Sequence, residues 1–334
     1  MSARRWRSYP QWLLVTAAGV AVFSAGLLLG LPLSSPAQQP AQPQAAPPPA
    51  PPAPPDSNYV GAETCKGCHE EAWNKFAKTR MGRLFLHQAR TPQEANACES
   101  CHGPGKEHVD AGGGKGKGGL ITFAKNDKTP VEKRNAVCLT CHTKGARLFW
   151  QGSVHESRNV ACTNCHTVME NISPQHSLAE VNEIETCATC HQQKKAQTWR
   201  SSHMPVREGK MTCTSCHNPH GSTNTRMLRV GNFINETCTS CHAEKRGPFL
   251  WDHAPVREGC NTCHDPHGSN NDRMLVAKLP MLCQRCHIGT KHPSTIYDAN
   301  QLAKGSSRLI GRGCVNCHQQ IHGSNSPAGN AFLR

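Results

Sequence analysis

The apolar residues of this chain are gathered at one end. Residues 12–31 read WLLVTAAGVAVFSAGLLLGL, an unbroken apolar run preceded by Arg4, Arg5 and Arg7. From Asn58 onward nothing similar recurs. No later run is long enough to cross a bilayer as a helix, and no series of ten-residue alternating segments with aromatic girdles marks the strands of a membrane barrel. The body predicts short helical turns joined by coil, with little or no sheet, and it cannot cross a membrane unaided.

The leader sets the compartment. Its basic start, apolar run and the small residues Ser35 and Ala37 read as a signal peptide over residues 1–37, cleaved after Ala37. The run is also just long enough to span a bilayer, so a retained inner-membrane anchor is the alternative. Either way the body is exported. Residues 38–57 hold nine prolines in twenty residues and form a Pro/Ala/Gln-rich linker. Extended at ~3.1 Å per residue, it reaches about 60 Å.

Only 37% of the chain is hydrophobic and 5% aromatic, and much of that lies in the leader. The remainder is too poor in Leu, Ile, Phe and Val for side chains to build more than a thin core. Yet the chain holds 20 Cys and 20 His. Something other than side chains must fill the interior.

Every cysteine falls in one motif, Cys-x-x-Cys-His, repeated ten times. The pairs are Cys65 and Cys68, Cys98 and Cys101, Cys138 and Cys141, Cys162 and Cys165, Cys187 and Cys190, Cys213 and Cys216, Cys238 and Cys241, Cys260 and Cys263, Cys283 and Cys286, and Cys314 and Cys317. This is the attachment signature of c-type haem. Residues i, i+3 and i+4 share one side of a helical turn. Two thiols can thus form thioethers with neighbouring vinyl groups of one porphyrin, while the histidine meets the iron from the same face. Ten disulfides would leave the histidine after every second cysteine unexplained. Zinc sites do not require that adjacency ten times over. Attachment needs reduced thiols on an unfolded chain in the exported compartment, which favours the Sec route over the twin-arginine route that Arg4 and Arg5 would otherwise suggest.

Ten histidines are therefore proximal ligands: His69, His102, His142, His166, His191, His217, His242, His264, His287 and His318. The other ten are His87, His108, His155, His176, His203, His220, His253, His267, His292 and His322, one after each motif. That distribution predicts distal ligands and ten bis-histidine haems, with Met81, Met169, Met204 and Met211 as fallback ligands. His217 and His220 are three residues apart, as are His264 and His267. Ligands on opposite faces of one haem need Cα atoms about 12 Å apart, and three residues span at most ~11 Å. His220 and His267 must each serve a neighbouring haem, so the chain stitches successive haems together.

The phrases HMPVREGKMTCTSCHNPHG at 203–221 and HAPVREGCNTCHDPHG at 253–268 are copies, followed by STNTRML and SNNDRML. HESRNVACTNCH at 155–166 and CVNCHQQIHGSN at 314–325 are more worn. The repeating unit is two motifs and about 50 residues, as in an array rather than a globule. The fold class is a multihaem cytochrome c, mostly coil with short α-helices, its ten haems in a closely packed, elongated array. One domain covers 58–334, in two five-haem halves at 58–195 and 196–334. Burial of porphyrin replaces the missing core.

The segment AGGGKGKGG at 111–119 reads as a solvated basic loop or a docking loop for an acidic partner. The net charge is +14, or +11 without the leader arginines. Each oxidised haem with two propionates contributes about −1, so ten nearly cancel the excess and the basic balance does not imply nucleic-acid binding.

The ten motifs, CESCHGPG at 98–105, the repeated PVREG and PHGS phrases, AEKRGPF at 243–249 and IHGSN at 321–325 resemble the MtrA/DmsE-type decahaem cytochromes, with MtoA and PioA among the relatives. The resemblance covers essentially all of 58–334. It implies an electron conduit threaded into an outer-membrane β-barrel porin, meeting periplasmic or inner-membrane electron carriers at one end and an extracellular multihaem cytochrome at the other. Such conduits export electrons to metal oxides or import them from ferrous iron. The proline-rich linker departs from the family pattern and leaves free or tethered status open. With every iron closed by two histidines, no catalytic residue is expected. A soluble periplasmic carrier serving a terminal reductase, or a multihaem reductase with one open haem, are the competing readings.

Overall fold

The computed structural model describes residues 58–124, 128–287 and 313–333. The leader, the linker and His292 lie outside the described residues.

The described residues form short helices and turns separated by coil. Among the described residues the longest helix, Val131–Leu139, has nine residues, and no helix is long and apolar enough to cross a membrane. The motifs themselves supply much of the helix. Ala62–Cys68, Glu99–His102 and Cys162–Cys165 are α-helical, and Cys213–Ser215, Cys260–Thr262 and Cys314–Asn316 are single 3₁₀ turns. In each case the histidine N–H donates to the carbonyl of the first cysteine, as in His166 N to Cys162 O and His217 N to Cys213 O. That bond closes the turn and puts both thiols and the imidazole on one side.

Strands are absent among the described residues. Isolated bridges take their place and follow the repeat. His166 pairs with Leu178, His217 with Leu228 and His264 with Leu275. Bridges between repeats join Ser202 to Ser269 and Trp251 to Ser324. The PHGS phrase at 266–269 and the IHGS phrase at 321–324 are thereby pinned to the segment just before a histidine of the preceding repeat.

The side-chain core is as thin as the composition implies. Among the described residues the buried hydrophobics are Phe76, Ala97, Trp150, Ala161, Leu178, Ala188 and Leu228, and no large side chain is fully enclosed. A cavity of about 2860 Å³ runs between the repeats instead, lined by cysteines of the last six motifs from Cys187 to Cys317.

Candidate haem-binding array

Among the described residues six pairs of imidazoles face each other. His69 and His108 have ring centres 6.3 Å apart, His166 and His220 6.0 Å, His217 and His267 6.1 Å, and His264 and His322 6.3 Å. In these four pairs the ring planes lie within 20° of parallel. His155 and His191 stand 6.2 Å apart at 50°, and His253 and His287 6.1 Å apart at 26°. Each pair joins one motif histidine to one histidine outside the motifs. A metal–imidazole bond of about 2 Å on each side, with roughly 1.1 Å from each nitrogen to its ring centre, spans about 6.2 Å. These pairs fit a haem iron held between two imidazoles.

His220 faces His166 and His267 faces His217, so neither meets the motif histidine three residues before it. This is the arrangement that the reach of three residues demands.

The backbone orients the rings. The Nδ1–H of His102 donates to Ile121 O at 2.8 Å, that of His166 to His176 O at 2.9 Å, and those of His217 and His264 to Arg226 O and Arg273 O at 2.8 Å. His318 Nδ1 meets Ala331 O. Among the partners, His155 donates to Pro219 O at 2.7 Å, His253 to Ile321 O at 3.0 Å and His108 to Lys117 O at 3.1 Å. A proton fixed on Nδ1 leaves the Nε2 lone pair free for iron. Burial reinforces this neutral form. It lowers His253, His267 and His322, and pushes His220 down to about 4, with His166, Arg147 and His155 adding repulsion.

The loop at 111–119 serves its own side of this arrangement. It folds back so that Lys117 O accepts from His108, and a Cβ on Gly118 would lie 2.3 Å from His108 N. Gly118 has φ +70°, a conformation that glycine adopts freely.

His203 departs from its counterparts. Its Nδ1 bonds Arg200 O at 2.7 Å and its Nε2 meets Glu208 Oε1 at 3.1 Å, so the ring is not brought to face a motif histidine. His155 and His253 precede their motifs by seven residues, His203 by ten. The extra Lys210, Met211 and Thr212 fold as a turn in which Lys210 N and Met211 N both donate to Pro205 O. That turn holds Glu208 against the ring. His87 ends the helix Arg80–His87, and His176, at φ +56°, sits in a cleft with Arg80 and Arg83. Neither faces a motif histidine at the distance of the six pairs.

The cysteines settle into a single file. Hydrogen bonding between first-cysteine thiols raises Cys65 against Cys98, Cys162 against Cys138, Cys187 against Cys213 and Cys238 against Cys260. Cys283 is raised by burial and by Cys314 beside it. The alternate junctions run through second cysteines. Burial raises Cys101, Cys165, Cys216 and Cys263; the thiols of the next motif that act on them are Cys138 and Cys141 for Cys101, Cys190 for Cys165, Cys241 for Cys216 and Cys286 for Cys263. Every motif from the second to the ninth thus lies near the one before and the one after. After thioether formation no thiol proton remains, and what persists is the adjacency of attachment points.

Sequence reasoning missed the side chains that hold these junctions. Asn135 Oδ1 accepts from Cys162 N at 2.9 Å, and Asn235 Oδ1 from Cys260 N at 2.7 Å. The shared spacing, an asparagine three residues before Cys138 and Cys238, was the available signal.

Comparison with known proteins agrees with this geometry. The family model described as a doubled CXXCH motif matches residues 203–247 and 253–292, and the model described as cytochrome c-type protein NrfB-like matches 98–190. The multiheme cytochrome MtrA of Shewanella baltica (strain OS185) is 41% identical over 285 residues, covering 84% of each chain. The chain belongs to the MtrA family of multihaem c-type cytochromes, electron-transfer proteins with haem bound covalently at CXXCH motifs.

Proposed function

We propose that this chain is a ten-haem conduit that passes electrons between periplasm and cell exterior through an outer-membrane β-barrel partner. The observation that carries the reading is the single file of ten motifs, joined at nine successive cysteine junctions. Transfer over a distance needs an unbroken succession of sites, and this order provides one. Each haem, when bound, supplies one-electron exchange at its iron.

The residues divide the labour by a rule that five of the six facing pairs obey. In each repeat, the histidine before the first motif serves the second motif: His155 serves His191 and His253 serves His287. The histidine after the first motif serves the first motif of the preceding repeat, as His220, His267 and His322 do. At the start of the file, where only motif one precedes it, His108 serves His69. The same rule gives His87 to His142, His176 to His102 and His203 to His242, and leaves His292 for His318. All ten irons are then closed by two imidazoles. The signal-like leader supports export to the periplasm, and the linker would give a retained anchor reach.

Proteoliposomes test the conduit. The chain is reconstituted with the barrel protein that copurifies from outer membranes, around an internal reduced viologen, and an external ferric acceptor is added. Discharge that requires both proteins is the expected result. No discharge, together with electron delivery to a soluble reductase, replaces the conduit with a periplasmic carrier. A carbon monoxide shift in the dithionite-reduced spectrum would mark an available iron and move the reductase reading to first place.

A further inference from the structure

Four side chains that bind no haem tie consecutive motifs together, and they differ in charge. At the third-to-fourth and seventh-to-eighth junctions the tie is a neutral amide. Asn135 and Asn235 accept from Cys162 N and Cys260 N, and donate to Val160 O at 3.1 Å and Val256 O at 2.8 Å. At the first-to-second and fifth-to-sixth junctions it is a carboxylate. Glu99 is 3% exposed and accepts from Val60 N, Gly61 N and Gly105 N at 2.9, 2.8 and 2.7 Å. Glu183 accepts from Thr214 N at 2.6 Å and Thr214 Oγ1 at 2.9 Å.

Glu183 lies against the attachment sulfurs, and Glu99 is close enough for its charge to act on them. A Glu183 oxygen and the Sγ atoms of Cys187 and Cys213 all fall within 4.8 Å of one another. The charge of Glu99 acts on Cys65 and Cys98 alike. Among the described residues no lysine or arginine forms an ion pair with either.

We propose that Glu99 and Glu183 are potential-setting residues, holding the haem pairs of motifs one–two and five–six at lower reduction potential than the asparagine-tied pairs three–four and seven–eight. The oxidised iron carries one more positive charge than the reduced iron. A nearby carboxylate without a counter-ion stabilises the oxidised state and lowers the potential, whereas an amide makes the same tie without the charge. Glu99, being buried, is screened less than Glu183 and has the larger effect. The potential along the file therefore falls and rises with a period of four motifs.

The inference rests on the ten-haem reading, and intact-mass haem content tests that reading separately. The experiment is a potentiometric titration of the full holoprotein, followed by absorbance, for wild type, E183Q, E99Q and N235D. Glutamine at 183 keeps both contacts, since its Oε1 accepts from Thr214 N and its Nε2 donates to Thr214 Oγ1. E183Q is expected to move a two-haem component to higher potential and leave the rest in place. N235D is expected to move a different two-haem component down. E99Q should give the larger upward shift; because E99Q leaves one of three amide donors short of a carboxylate oxygen and N235D loses the donation to Val256 O, E183Q carries the decision. An unmoved titration in fully loaded E183Q, or shifts of the same sign in E183Q and N235D, overturns the proposal. Fewer than ten haems in the wild-type chain would overturn the functional reading instead.

Discussion

Three residues separate His217 from His220, yet their rings have different partners, His267 and His166. Among the described residues His220 is also the one histidine whose Nδ1 is buried without a hydrogen-bond partner, so packing rather than a carbonyl fixes its ring. Replacing it is therefore expected to expose one iron at a stated place. H220A should gain a carbon monoxide-sensitive haem anchored by Cys162 and Cys165. Adding C162A and C165A should abolish that signal, and adding C213A and C216A should spare it; the reverse would refute the pairing. The sequence was enough to say which iron His220 does not bind, because the length of three peptide units is a covalent fact. It could not say which iron it does bind, since that depends on how one repeat stacks on the next.

The glycine of each PHG phrase, and of IHG at 321–323, is a point of close approach. Gly221, Gly268 and Gly323 have φ +100°, +123° and +134°. A Cβ on Gly221 would lie 2.1 Å from Phe149 O, and one on Gly268 2.2 Å from Gln197 O. G268A is expected to cost more than about 1 kcal/mol, from backbone strain together with the clash. The measurement is the melting temperature of the holoprotein, alongside low-spin haem signal, and the haem of His217 should lose its His267 ligand first. An unchanged melting curve would show that the contact is slack. The motif turns and the repeat were legible at this scale because local spacing encodes them. The glycine loop at 111–119 was not, since its composition suits solvent as well as it suits the back of His108. Nor was the displacement of His203, although the three added residues 210–212 were in plain view. Their effect depends on the turn that they close onto Pro205.

The file of cysteine junctions belongs to the whole described body. The number of attachment motifs and the lack of a side-chain core were legible from cysteine spacing and composition. The spatial order was not, because it is made by contacts between motifs, such as Cys187 with Cys213, and not by any one motif. That order follows the chain without a skip, and the facing histidine pairs recur from repeat to repeat. The molecule is therefore built like a ruler that can be cut at its marks. Excising residues 203–252 would splice Ser202 to His253, placing Ser324 against Ser202 where Ser269 now sits and putting His267 where His220 now meets His166. An eight-haem protein of unbroken low-spin spectrum is the expected product, and a high-spin haem at the splice would show that the marks are not equivalent. Reach, on this view, is an inherited copy number, open to lengthening or shortening by gene duplication or loss in steps of two redox centres.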